Sequence, residues 1–282
     1  MANLNSLKNR ISVVNNTKKI TNAMQLVATA KLRRTREEFQ NIQSYLDLLN
    51  DTFNSLLDHV KETDFYNIFP KNTDIKAKLY VVITSDLGLC GSYNTNVINM
   101  LKSQISKQDK IIVIGTKGYN IIHSSYLRDQ IIDSYVNYGE KVSYEIGSQI
   151  TKKALAMYNN KEISEINLIY TKFINNINQD PVCLTLFPLN LNNHTASSET
   201  IEFEPNAEVV LKNSIPLYVG SLIYCLGTSS KVSEMASRRN AMENATNNAS
   251  DLIHDLNLQF NRERQRVITQ EINEIVAGAD AT

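Results

Sequence analysis

Residues 4–60 read LNSLKNRISVVNNTKKITNAMQLVATAKLRRTREEFQNIQSYLDLLNDTFNSLLDHV. Their apolar positions recur at steps of three and four: Leu4, Leu7, Ile11 and Val14, then Ala28, Leu32, Phe39, Ile42, Leu46, Leu49, Phe53, Leu56 and Val60. A mean repeat of 3.5 gathers such side chains into one narrow seam, the signature of a coiled coil. The far end of the chain repeats the pattern with Met242, Ala245, Ala249, Leu252, Leu256, Phe260 and Val267. Each end therefore needs a partner along its whole length, and the obvious partner is the other end, running antiparallel. At about 1.5 Å per residue the first helix would be roughly 85 Å long. A rod of that length suits a machine that carries force or position over a distance.

The first seam has a gap. Lys18, Thr21 and Gln25 fall where apolar residues are due, while Ile20, Met24 and Val27 keep helical spacing on a shifted stripe. Such a gap means either a local change of winding or a different neighbour at that level. Lys61 to Lys78 is polar, contains Pro70 and reads as a connecting loop. The period then changes. Leu79–Thr84, Lys110–Gly115, Gln130–Tyr135 and Ile166–Thr171 read as strands, with helical stretches at Val97–Ile105, up to Ile122, and at Tyr144–Tyr158. Alternation of this kind predicts an α/β fold with a mostly parallel sheet and helices on its faces. Val182–Leu186 adds an edge strand, and Leu189–Ser198 reads as a loop. Pro205 and Pro216 bracket a short helical piece, after which the helical pattern runs to about Val276. The predicted organisation is a coiled-coil helix over 1–61, an inserted Rossmann-like α/β domain over 62–205 and a second coiled-coil helix over 206–282.

Composition narrows the functional classes. The formal net charge is zero, so the chain as a whole gives no sign of binding nucleic acid. Nine glycines and five prolines in 282 residues suit long uninterrupted helices. Cys90, Cys183 and Cys225 are odd in number and far apart, as expected of reduced thiols rather than a disulfide framework. Continuous apolar runs fall short of the roughly 18 residues of a membrane span. The first 36 residues hold eight Lys and Arg and no acid, as an organelle presequence does. The seam continues far beyond them, so the segment reads as working structure.

Few residues invite catalysis. Gly115-Thr116-Lys117-Gly118 follows a strand but lacks the spacing of a phosphate loop, and reads as a strand-to-helix turn. The turn Ser85–Ser92 sits at the carboxyl end of the first strand, where such sheets bind ligands. No motif links Cys90 to any of His59, His123, His194 or His254, so a structural or docking turn is expected. The histidines form no recognisable metal set. The basic run Lys31–Arg36, with Arg238, Arg239, Arg262, Arg264 and Arg266 at the other end, suggests two belts that meet acidic groups of a protein partner. After Val267 the chain has no Lys or Arg, but carries Ile272, Ile275, Val276 and several alanines. That smooth end is either a fraying terminus or a tip held in an apolar sleeve.

The chain resembles the gamma subunit of F-type, proton-transporting ATP synthase over essentially its whole length. The resemblance rests first on Arg10-Ile11, Thr17, Lys19–Met24 and Val27-Ala28 through Leu32. In the middle it rests on Ser85-Asp86, Gly88–Gly91, Asn94, Tyr170–Phe173 and Phe203-Glu204-Pro205. It is densest in Ser233-Glu234, Arg238, Ala241-Met242, Ala245-Thr246, Asn248-Ala249, Asn261, Arg264-Gln265, Ile268-Thr269, Glu271 and Glu274-Ile275. It implies a central-stalk rotor that makes no covalent chemistry and uses no cofactor. The coiled coil would pass through a ring of alpha and beta subunits. The α/β part and the foot would dock on the epsilon subunit and the c-subunit ring.

Carried over by position, the resemblance implies that Arg238, Gln265 and Thr269 hydrogen-bond to a beta-subunit loop, with Met24 close by. Phe203, Glu204 and Pro205 match the foot near the c ring. It also implies peripheral attachment to a membrane, on the cytoplasmic face of a bacterial inner membrane rather than the mitochondrial matrix side. This chain departs from the family pattern at four places. Leu87 replaces a basic residue, Ser92 a glycine, and Lys231 and Ser237 stand where small apolar residues are common. Two other readings fit parts of the sequence: a basic coiled-coil scaffold protein, and a small-molecule-binding α/β enzyme with a helical dimerisation stalk.

Overall fold

Two helices, α1 (Ala2–Asp58) and α6 (Ala207–Asp280), contribute to both compact units of the protein. The computed structural model describes residues 2–60, 62–139, 141–189, 203–204 and 206–280. One unit comprises Met1–Thr29 and Arg238–Thr282; the other is Ala30–Ser237.

The larger unit is built on a five-stranded sheet of order β3-β2-β1-β4-β5. Strands β1 (Leu79–Ile83), β2 (Lys110–Ile114), β3 (Ile131–Tyr135) and β4 (Ile166–Phe173) run parallel. The edge strand β5 (Gln179–Phe187) returns antiparallel to β4. Pro181 is tolerated in β5 because an edge strand leaves some N–H groups outside the ladder. The central strands read LYVVI and KIIVI because helices cover both faces. Period-two alternation sorts their side chains. Tyr80, Val82, Ile111 and Val113 pack with α3 (Tyr93–Gln104) and α4 (Thr116–His123). Leu79, Val81, Ile83, Ile112 and Ile114 pack on the other face with α5 (Tyr144–Asn159), α1 and α6. The Ser143 hydroxyl caps α5 by accepting from the Ile146 N–H at 3.3 Å.

The predicted loop 61–78 contains a short helix, α2 (Glu62–Ile68). Phe65 and Phe69, four residues apart, are 0% and 5% exposed and enter the core, which outweighs the polar residues around them. Asn72 anchors the remainder by donating to the Tyr158 and Ile163 carbonyls. Residues 190–198 of the predicted loop lie outside the described residues.

Pro216 does not end a helix as the sequence suggested; α6 runs straight through it. One missing backbone donor is offset by Leu211, Ile215, Val219 and Ile223, each 0% exposed, which seat this stretch in the core. An 18-residue window of α6 has a mean hydropathy of 1.4, enough by composition for a membrane span although no continuous apolar run is that long. Part of the helix's apolar surface is covered by the unit's own core.

Within the larger unit α1 and α6 run antiparallel. Leu32 packs with Val232, Met235 and Ala236. The Tyr45 hydroxyl lies 3.5 Å from that of Ser221, and Tyr218 donates to Asn50 Oδ1 at 2.9 Å. Phe53 stacks on Tyr218 with centroids 4.0 Å apart. As the α1 number climbs from Leu32 to Phe53, the α6 number falls from Met235 to Tyr218.

The smaller unit carries the heptad. On α1 the seam positions Leu4, Leu7, Ile11, Val14, Lys18, Thr21, Gln25 and Ala28 are all covered or half-covered and alternate by three and four without a break. On α6 they are Met242, Thr246, Ala249, Ile253, Leu256, Phe260, Glu263 and Val267. Ile253 takes the place expected of Leu252, which is 39% exposed, so the seam keeps its strict seven-residue repeat. Thr246 donates to the Thr21 hydroxyl at 2.8 Å. The polar gap in the first seam is therefore no change of winding. Lys18, Thr21 and Gln25 stay on the covered side, Ile20 and Val27 face outward, and Met24 is half-buried between.

Candidate interaction surfaces

In the smaller unit the outward side of α1 is unusually apolar. Val13, Ile20 and Val27, seven residues apart, are 63%, 61% and 57% exposed, and Leu26 is 64% exposed. Met24 is half-buried on the flank of this stripe. On α6 every residue from Ile268 to Ala277 is exposed, including Ile268, Ile272, Ile275 and Val276. Water does not favour such a surface: exposed apolar residues in heptad register mark a helix face made to meet another apolar surface.

The four residues assigned by resemblance to beta-subunit contact all belong to this unit, but they are spread along it. Gln265 and Thr269 are exposed one turn apart, and the Thr269 hydroxyl donates to the Gln265 carbonyl at 2.9 Å. Arg238 is 7% exposed. Along α6 it lies about 12 Å on one side of Thr246, with Gln265 about 28 Å on the other. Met24, one turn from Thr21 on α1, lies on the Arg238 side of Thr246, near the level of Glu243. In the larger unit Phe203 is half-buried and Glu204 exposed, while Pro205 lies outside the described residues.

The basic belt of α1 is partly neutralised in place. Arg33 and Arg34 pair with Glu37 and Glu38 at 3.5 and 3.9 Å, and Lys141 reaches Glu38 at 3.8 Å. The two arginine pairs are exposed i,i+4 pairs, worth about 0.3–0.5 kcal/mol each. On α6, Arg239 lies 3.9 Å from Glu243 and Arg266 2.6 Å from Glu263.

The turn after β1 is spent on its own architecture. One oxygen of Asp86 accepts from the Thr116 N–H at 2.9 Å, the Thr116 hydroxyl at 2.7 Å and the Asn137 N–H at 3.1 Å. Asn94 accepts from the Ser85 N–H and donates to the Ser85 hydroxyl. Cys90 is 2% exposed, and its sulfur meets Ser85 and Asn94 rather than a histidine. Gly115 has φ +107°, and a Cβ there would lie 2.3 Å from the Thr84 carbonyl oxygen. Gly118 meets the Thr84 side chain just as closely, and its N–H donates to the Thr84 hydroxyl. Both glycines thus serve close packing of α4 on β1, and neither cradles a phosphate. Among the described residues no cluster of His, Cys, Asp and Glu has the makings of a metal site. Leu87 and Leu89, 70% and 61% exposed at the tip of the turn, give it a docking character.

The family model described as ATP synthase matches residues 3–282. The chain is 48% identical over 288 residues to the ATP synthase gamma chain of Mycoplasmopsis synoviae, covering all of both chains. The chain belongs to the ATP synthase gamma-chain family. The gamma chain of Clostridium kluyveri is 39% identical over 99% of this chain and 98% of its own. Among solved structures, the central stalk and c ring of the Tetrahymena thermophila mitochondrial ATP synthase matches 80% of this chain and 99% of its own, at 28% identity and a TM-score of 0.61. The rotor of the Euglena gracilis enzyme has the same fold, with a TM-score of 0.72, 18% identity, and coverage of 95% of this chain and 99% of its own. As a gamma chain, this protein is a central-stalk subunit of a membrane-associated ATP synthase complex. The enzyme and scaffold readings fall away with that assignment.

Proposed function

We propose that this chain is the non-catalytic rotor of its complex, turned by proton flow through a c-subunit ring and turning inside a ring of alpha and beta subunits. One observation carries the reading: the smaller unit exposes Val13, Ile20, Leu26 and Val27 on one helix and Ile268, Ile272, Ile275 and Val276 on the other. A shaft enclosed by an apolar sleeve needs that surface, and a protein working alone in water does not. The role is mechanical. The beta subunits hold and convert nucleotide; this chain makes contacts of different strength to each beta conformation, which is how a lever shifts populations.

In this reading residues 1–61 and 206–282 form the shaft, and 62–205 form the docking body for the epsilon subunit. Phe203, Glu204 and Pro205 mark the foot on the c ring. Gln265, Thr269 and Met24 meet the beta subunits. Arg238 fits that role least well, being nearly covered. Hydrogen bonds to charged groups are worth roughly 1.5–3 kcal/mol, strong enough to define a dwell and weak enough to break as the shaft turns. The complex would sit on the cytoplasmic face of the bacterial inner membrane.

The test is Met24→Lys in the membrane-reconstituted complex. A lysine beside the outward stripe would pair with beta-subunit carboxylates and hold the shaft. The expected result is assembly with alpha and beta subunits and ATP-driven proton pumping reduced about tenfold, a barrier of about 1.4 kcal/mol. Normal pumping would refute the Met24 contact, and a chain that fails to co-purify with alpha and beta would refute the rotor role.

A further inference from the structure

We propose that Ser229, Ser230 and Ser233 form a register lock with β4, which fixes the rotation of α6 about its own axis against the sheet and passes torque between them. The proposal rests on the rotor reading above.

The lock begins where the sheet runs out. β1 pairs with β4 only as far as Val82 opposite Ile169, so Tyr170–Phe173 have an open edge on the β1 side. Side chains of α6 stand in for the missing strand. The Thr171 N–H donates to the Ser230 hydroxyl at 3.2 Å and the Phe173 N–H to the Ser229 hydroxyl at 3.2 Å. The Ser233 hydroxyl donates to the Thr171 carbonyl at 3.1 Å. From the other side Tyr93, at the start of α3, lies 2.7 Å from the Ser230 hydroxyl and donates to its carbonyl. All three serines are less than 5% exposed. Burial holds the Tyr93 phenol far above its ordinary range, so it stays a donor.

A buried ion pair lies within the same turns of α6 and moves with the helix. Lys231 Nζ lies 3.0 Å from Glu234 Oε2, with the two side chains 10% and 2% exposed, and 5.8 Å from the centre of the Tyr138 ring. Lys231 is one of the four departures from the family pattern. A second, Ser237, donates to Gln179 Oε1 on β5 at 2.9 Å. Both departures on α6 therefore make polar bonds, one beside the lock and one onto the sheet edge.

The adjoining face of the same helix turns differs in kind. Val232, Met235 and Ala236 meet Leu32 through apolar contact, which depends on area and not on angle. Hydrogen bonds weaken steeply as their angles open. Turning α6 about its axis would therefore break the serine bonds together, while the apolar face could slide.

Two variants of the reconstituted complex test this: Ser229→Ala, and Ser230→Ala with Ser233→Ala. The expected result is ATP hydrolysis within about twofold of the parent and protons pumped per ATP down about threefold or more. An unchanged ratio in both variants overturns the lock. If neither assembles, Ser230→Ala alone is measured in the same way, a lowered ratio supporting the lock and an unchanged one overturning it. A parent complex that pumps nothing would instead overturn the rotor reading.

Discussion

Asp86 carries three donors on one carboxylate oxygen and so ties the turn after β1 to the starts of α4 and of the segment after β3. Removing that acceptor strands two backbone N–H groups. Asp86→Ala is expected to lower stability by about 2–3 kcal/mol, read as a shift in denaturant midpoint; an unmoved midpoint would mean that water replaces the carboxylate at no cost. Two other side chains set an alkaline limit. Burial pushes the Cys225 thiol from 9.0 up to about 11. Burial first, then the neighbouring Asp109, pushes the Tyr80 phenol from 10.0 up to about 12. Each group holds its proton more tightly folded than unfolded. Their contribution is therefore complete below the unfolded pKa and is lost as pH rises through the folded one. Stability should fall between about pH 9 and 12, and Tyr80→Phe should flatten the upper part of that fall. A profile unchanged by Tyr80→Phe would contradict the assignment.

At the scale of elements, α5 and α6 approach through glycine. A Cβ on Gly147 would lie 2.6 Å from the Gly220 carbonyl oxygen, and one on Gly227 would lie 2.9 Å from Val142 Cβ. Gly147→Ala is expected to cost about 1–3 kcal/mol by pushing the helices apart, seen as a lowered thermal midpoint; an unshifted midpoint would show that the crossing has slack. Elements with a strict period were legible in the sequence. The seam from Ala28 to Val60 and the β-branched strands declare themselves because each repeats one physical instruction many times. What escaped were single residues overruled by packing. Phe65 in α2 and Phe69 just past its end anchor a polar stretch in the core, and Pro216 is carried by the core around it. Ile253 differs from Leu252 by one position, which a broken seven-residue count does not resolve. The candidate contacts Gln265 and Thr269 were legible through resemblance alone, since an exposed amide and hydroxyl on a helix carry no signature of their partner. The serine bonds to β4 had no signal either, because nothing in the sequence says where β1 stops pairing.

For the whole molecule, an apolar, outward-facing helix surface and a buried polar junction on the sheet are the two features that the rotor role asks for. The most direct measurement is rotation. Tyr126, 76% exposed just beyond α4, can be changed to cysteine and tagged with a bead once the half-buried Cys183 is replaced by serine, since Cys90 and Cys225 are buried and slow to react. With the complex fixed to a surface through its beta subunits and supplied with ATP, the account predicts that the bead turns in one direction with regular stops. A bead that stays still or only wanders while ATP hydrolysis continues in the same complexes would contradict it.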